Sequence, residues 1–237
     1  MIAFQDVSKA FTIPHLRRRT LFQRLFAAGR YSYESFAALR GISFRVAPGE
    51  FVGVLGRNGS GKSTLLRLAA GIYQPTGGTV RVGGGVAPVL ELGAGFNAGL
   101  PVRDNVFLYG VLMGIPRRRL REELGAILER AGVTRFADAR LESLSTGLRM
   151  RLAFSVAIRA DAPVALIDEA LSVGDEEFQK RSLAELESLH DRGRTALLVS
   201  HSTELLRRLC RRILVLREGA LLGDGPADAM IDLYHSG

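Results

Sequence analysis

Gly56-Arg57-Asn58-Gly59-Ser60-Gly61-Lys62-Ser63-Thr64 is a glycine-rich run closed by a lysine and two hydroxyl residues. It fits G-x-x-x-x-G-K-[ST], follows the apolar run Phe51–Leu55 and opens a helical pattern. That chemistry suits phosphate. The glycines let the backbone wrap closely and aim N–H groups at phosphate oxygens, and a helix N-terminus adds its dipole. Lys62 can reach the outer phosphates of a nucleotide, and Ser63 can offer a hydroxyl to Mg²⁺. Further on, Val164-Ala165-Leu166-Ile167 reads as a buried strand ending in Asp168-Glu169. Strand C-termini are where α/β sheets place ligands. Asp168 suits Mg²⁺, directly or through water. Glu169 points elsewhere and can polarise an attacking water as a general base.

Two other positions gain meaning from their order. Leu144-Ser145-Thr146-Gly147 precedes an amphipathic helix bearing Met150, Leu152, Phe154 and Ile158. In isolation a serine there is an ordinary helix cap. His201 ends the apolar run Thr195–Ser200, where a lone histidine is ordinarily structural.

The elements that must position these groups alternate between strand and helix. Strands are expected at Ile2–Val7, Ile42–Val46, Phe51–Leu55, Thr79–Val82, Val164–Asp168 and Thr195–Ser200, and a hairpin around Glu218-Gly219. Helices are expected from Lys62, over Glu176–His190, over Thr203–Arg211 and from about Pro226, with a mostly helical block between Val102 and Arg159. The pattern is an α/β core with a helical insertion at roughly 98–160. The hydrophobic content of 47% supports a sizeable core. No apolar run approaches the ~18 residues needed to span a bilayer, and Met1–Val7 has no leader pattern, so a cytoplasmic chain is expected. Cys210, the single cysteine, falls in a helical apolar pattern and reads as a small buried hydrophobe. The net charge is +8, and residues 1–40 hold seven basic side chains against two acids. Such a segment suits an anionic surface, either nucleic acid or a membrane leaflet.

At Leu144–Gly147, downstream of the phosphate loop, the chain resembles the nucleotide-binding subunits of ATP-binding cassette (ABC) transporters, whose signature loop reads L-S-G-G-Q. The resemblance runs from about Ile2 to the last strands. It implies a P-loop NTPase core of the ABC type over 1–237, with an antiparallel β part and a helical subdomain. It implies ATP and Mg²⁺ as cofactors, and ATP hydrolysis at sites shared by two copies. Ser145 and the Gly147 N–H would then meet the γ-phosphate held by the phosphate loop of the other copy. His201 takes the place of a histidine that contacts the γ-phosphate. Asp175, in Ser172-Val173-Gly174-Asp175, matches a loop that communicates across the dimer. Phe11 stands where an aromatic supports adenine. Glu91 replaces a glutamine that helps hold Mg²⁺ and links to the membrane partner; a carboxylate can still ligate Mg²⁺ but cannot donate as an amide does.

Leu90–Phe96 with its Glu91, Leu144–Ala153 with Ser-Thr-Gly, and Ile167–Lys180 resemble one branch of that family, the exporters of O-antigen, teichoic acid and related polysaccharides. This implies a membrane permease as partner and a peripheral place on the cytoplasmic face of the inner membrane. Leu16, Leu21, Phe22, Leu25 and Phe26 fall near helical spacing among Arg17, Arg18, Arg19 and Arg24, so a basic amphipathic helical insertion is expected at roughly 14–37, against membrane or permease. Some members of the branch carry a further carbohydrate-binding domain. This chain ends at Gly237, so substrate selection is expected to fall to the permease. ABC ATPases serving another cargo, or acting on nucleic acid or ribosomes, are the competing readings. For the last, the interval from Gly61 to Leu144 has room for a small helical subdomain but not a long coiled coil, and no nucleic acid partner is expected.

Overall fold

The computed structural model describes residues 1–16, 31–90, 92–168 and 175–236. Its centre is a six-stranded sheet in the order β5 (Val86–Val89), β6 (Val164–Asp168), β7 (Thr195–Val199), β3 (Phe51–Gly56), β8 (Arg212–Arg217) and β9 (Ala220–Pro226). The pairs from β5 to β8 are parallel and β9 is antiparallel at the edge. β3 and β7 are buried at every position, as befits parallel strands covered on both faces. Alternation along β3 splits its side chains between two cores: Val52 and Val54 face one, Phe51 and Leu55 the other. The β8–β9 hairpin turns at Glu218 and Gly219, whose φ angles of 48° and 79° match the positive-φ turn that suits twisted antiparallel strands.

A second sheet is antiparallel, in the order β2 (Tyr31–Val46), β1 (Ile2–Leu16), β4 (Gly77–Val82). Helix α1 (Lys62–Ala69) lies between the two sheets. Leu65, Leu66 and Leu68 pack with Ile2, Phe4, Leu39 and Ile42 on one side and with Val52, Val54 and Leu166 on the other. The opposite face of the large sheet carries a helical block: α2 (Val102–Leu112), α3 (Arg117–Ala131) and α4 (Thr146–Ala157). It also carries α5 (Glu176–Asp191), α6 (Thr203–Leu209) and α7 (Ala227–Ser236). Among the described residues no helix is long and apolar enough to cross a membrane.

The first two strands run well past the expected bounds. β1 and β2 stay paired from Ile2↔Val46 out to Leu16↔Tyr31. The helix expected over 14–37 is therefore corrected at both ends, where 14–16 and 31–37 are strand. The reason is visible in Tyr31-Ser32-Tyr33-Glu34-Ser35-Phe36, whose residues favour an extended chain, and in the neighbouring β1, which pairs with it in register out to Leu16↔Tyr31. Residues 17–30, which hold Leu21, Phe22, Leu25 and Phe26, lie outside the described residues.

Candidate functional site: a phosphate loop and the carboxylate facing it

β3 ends at Gly56 and the chain turns through Arg57–Gly61 into α1. Gly61, the residue preceding the helix, has φ 105°, and a Cβ there would stand 2.8 Å from the Ala38 carbonyl oxygen. At Gly56 a Cβ would lie 2.4 Å from Ser60 Oγ and 2.5 Å from the Leu216 carbonyl oxygen. Only glycine meets both demands without moving the loop. The turn of the β8–β9 hairpin braces the loop from outside: the Gly219 N–H donates to the Ser60 carbonyl at 3.1 Å, and the Arg40 N–H donates to the Gly219 carbonyl at 2.8 Å. Gly59 and Asn58 are exposed at the tip and Thr64 is half-buried on α1.

Lys62 is only 7% exposed. Its Nζ donates to the carbonyls of Gly56 at 2.7 Å and Arg57 at 3.1 Å, which holds the ammonium inside the loop. Ser60 Oγ is buried without a hydrogen-bond partner. α1 has no side-chain cap and no acid in its first turn. Its first N–H groups, the Lys62 charge and the Ser60 hydroxyl thus form a concave donor set suited to an anion.

Ser63 Oγ donates to Asp168 Oδ2 at 2.9 Å. This bond joins the first turn of α1 to the C-terminal end of β6. The pair fits a hard divalent cation, since both donors are oxygen and only one is charged, leaving room for phosphate oxygens. Parallel registry explains the meeting: Asp168 pairs with Val199 on β7, and Val199 pairs with Val54 on β3. All three strands therefore end on one side of the sheet. His201 follows β7 there, exposed, between two serines that shape its backbone. The Ser202 N–H donates to Ser200 Oγ at 3.0 Å, and Ser202 Oγ accepts from the Leu205 N–H at 3.2 Å. Glu169 and Glu91 lie outside the described residues.

The structure leaves Ser145 and Gly147 outside this cluster, exposed at the start of α4. Ser145 Oγ accepts from the Leu148 N–H at 3.3 Å as the helix cap, and a Cβ at Gly147 would meet open space. Arg149 braces the preceding loop by donating to the carbonyls of Leu144 at 2.9 Å and Glu142 at 2.8 Å. Asp175 is engaged within its own chain: it caps α5 through the Phe178 N–H at 2.9 Å and pairs with Arg151 at 2.7 Å. These partners, the Phe178 N–H first, hold its carboxyl below the usual range. Nothing in the sequence singled out Arg151, whose partner is remote along the chain.

Phe11 is half-buried rather than part of either core. Its ring meets Tyr73 edge-on at 5.3 Å, and Lys9 Nζ stands 5.0 Å from the ring centroid while donating to the Gln74 carbonyl at 2.9 Å. Tyr73 and Lys9 are contacts the sequence did not disclose. Burial pushes the Cys210 thiol up to about 12, which keeps it an inert apolar group. A cavity of about 260 Å³ opens between the segment after Glu91 and the start of α4, lined by Leu92, Phe96, Ala98, Leu141, Arg149 and Met150. Leu108, Val111 and Leu112 of α2 are exposed, and Leu112 lies against Gly95.

Fold and site together define a nucleotide-binding cassette built on a phosphate loop. The family model for ABC transporters matches residues 39–172. The chain is 40% identical over 237 residues to the ABC transporter protein AbcA of Aeromonas salmonicida, covering 99% of this chain and 76% of that one. It is 34% identical over 238 residues to the O-antigen export system ATP-binding protein RfbB of Klebsiella pneumoniae, covering 99% and 97%. The dimeric bacterial ABC transporter cassette MJ0796 superimposes with a TM-score of 0.75 over 96% of this chain and 99% of that one, at 22% identity. The chain belongs to the ABC transporter family.

Proposed function

We propose that the chain is the ATP-binding and ATP-hydrolysing subunit of a transporter exporting a lipid-linked polysaccharide of the O-antigen or teichoic-acid kind. The observation that carries the chemistry is the Ser63–Asp168 bond beside the buried Lys62. The similarity to RfbB over nearly the full length of both chains supports the substrate class.

ATP lies with its phosphates in the loop Gly56–Thr64 and its adenine against Phe11. Lys62 exchanges its two carbonyl partners for the β- and γ-phosphates, a stronger charge-assisted contact. Mg²⁺, when bound, neutralises phosphate charge; Ser63 and Asp168 would hold it, and Glu91 is proposed as a further ligand from the family resemblance alone. Glu169 orients and deprotonates the attacking water, and His201 contacts the γ-phosphate. Ser145 and the Gly147 N–H contact the γ-phosphate bound by a second copy, so each of two sites needs both chains. The exposed cap of α4 supports this, since Ser145 is open to solvent and its hydroxyl bonds the Leu148 N–H of its own helix.

The pair works on the cytoplasmic face of the inner membrane. The cavity lined by Leu92, Phe96 and Met150 and the exposed Leu108, Val111 and Leu112 of α2 are the apolar surfaces that dock the permease. Mixing chains tests the paired sites: Ser145→Ala and Lys62→Ala chains, each inactive alone, should together regain one working site per dimer. No recovery counts against shared sites. Cells lacking the gene should retain polysaccharide inside, and wild-type surface polysaccharide in them overturns the substrate assignment.

A further inference from the structure

Asp175 holds two helices at once. Oδ1 accepts from the Phe178 N–H and so caps α5, while Oδ2 accepts from Arg151 Nη2 on α4 at 2.7 Å. Arg151 also lies over the Phe178 ring, 5.3 Å from its centroid. That ring is 1% exposed and meets Phe154 of α4 at 5.9 Å. A cap, an ion pair and two aromatic contacts therefore converge on one junction.

The place of this junction matters more than its strength. Ser145 starts α4, and Arg151 stands on the second turn of the same helix. Asp168 ends β6 and Asp175 immediately precedes α5, with Glu169 between them in sequence. Asp168, which precedes Glu169 in sequence, is thus bonded by Ser63, and Asp175, which follows it, by Arg151. The side chains at this junction are 20% and 59% exposed for Arg151 and Asp175. Ion pairs of that exposure add little to global stability. α5 has a separate tie to the helical block further along, where the Arg130 guanidinium pairs with Glu185 and donates to the Arg181 carbonyl at 3.1 Å.

We propose that Arg151 is a positioning residue for ATP hydrolysis: through Asp175 it sets the Ser145 end of α4 relative to the Asp168 end of β6. Asp175 then also acts inside its own chain, beside the communication across the dimer that the family resemblance implies for its loop. The proposal rests on the paired-site reading above. Binding of ATP to the phosphate loop needs neither residue; bringing a second copy's serine and the chain's own Glu169 to one γ-phosphate needs both.

The test is steady-state ATP hydrolysis by the purified full chain, with ATP affinity and melting temperature measured alongside. Arg151→Met keeps the apolar stem over Phe178 but removes the charge, and Asp175→Asn keeps the cap. Each should lower kcat about tenfold with ATP affinity within about twofold and little change in melting temperature. Arg151→Lys should recover part of the rate. The double variant should be no slower than either single one, since both break the same contact. Arg130→Met, which breaks the other tie of α5, should lower the melting temperature and spare kcat. Wild-type kcat in Arg151→Met and Asp175→Asn overturns the proposal, as do effects that multiply in the double variant. A rate loss that follows melting temperature and is not relieved by lysine also overturns it. Should Arg151→Met not fold, Asp175→Asn with the affinity measurement decides. The mixing of Ser145 and Lys62 variants judges the paired sites separately, so recovery there with normal kcat in Asp175→Asn defeats the clamp alone.

Discussion

The phosphate loop and the start of α4 are both glycine-bearing turns that open a helix, yet they are held in opposite ways. The loop is supported from several sides by its own chain. Lys62 is tied to two carbonyls, Gly61 fits only without a Cβ against Ala38, Gly219 braces Ser60, and Asp168 reaches Ser63 from another strand. The start of α4 is exposed. Its serine bonds its own helix at 3.3 Å, its loop is braced by Arg149, and a cavity opens beside it. A site supported on all sides can bind a ligand alone, because its donors are placed before the ligand arrives. A turn exposed to solvent keeps its outer polar groups hydrated, and on the proposed reading a second copy's phosphate takes the place of that water.

Four substitutions break or sharpen that contrast, from the largest expected effect downward. Glu169→Gln should leave ATP binding intact and lower kcat about a thousandfold, the range expected for losing a general base. With ATP present that variant should elute as a dimer in gel filtration, and normal turnover removes Glu169 from the chemistry. Lys62→Ala should weaken ATP binding about a hundredfold by calorimetry, since it removes a buried charge-assisted contact to phosphate. If affinity is kept, the loop does not hold the nucleotide as described. Ser145→Ala should bind ATP as wild type does, because it leaves the chain's own loop untouched. It should shift the ATP-driven dimer toward monomer about tenfold and cost roughly 1 kcal/mol of folding stability through the lost cap; equal loss of ATP affinity in the monomer erases the contrast. Phe11→Ala should weaken ATP about threefold, in keeping with one aromatic contact, without changing the affinity for inorganic triphosphate. A parallel loss for triphosphate makes Phe11 a structural residue.

The legibility of each region follows its range along the chain. The loop Gly56–Thr64 was readable because its requirements are local: consecutive residues, a preceding apolar strand and a following helix. Asp168 at the end of Val164–Ile167 was readable for the same reason, and the sheet places it at the C-terminal end of β6. Its contact with Ser63 followed only indirectly, from the assignment of both to Mg²⁺, because it depends on β6, β7 and β3 aligning in register. The stretch from 14 to 37 shows the limit of periodicity. Helical spacing at Leu21–Phe26 suggested one helix, but 14–16 and 31–37 prolong a ladder already begun by Ile2–Val7. Pairing to an existing strand satisfies the backbone regardless of a competing local pattern. Arg151 gave no signal beyond one more arginine on an amphipathic helix.

From the sequence alone came the phosphate chemistry, the family and the order of strands and helices, since these depend on short-range patterns that any copy of the chain carries. Tertiary structure decided what each polar group does with its partners. It committed Asp175 to Arg151 and Phe178, placed Phe11 against Tyr73 outside the two cores, and left Ser145 facing solvent. Hydrogen bonds and ion pairs form between groups a few ångströms apart in space, and the spacing of residues along a chain constrains that distance only within a helix turn, a strand or a loop.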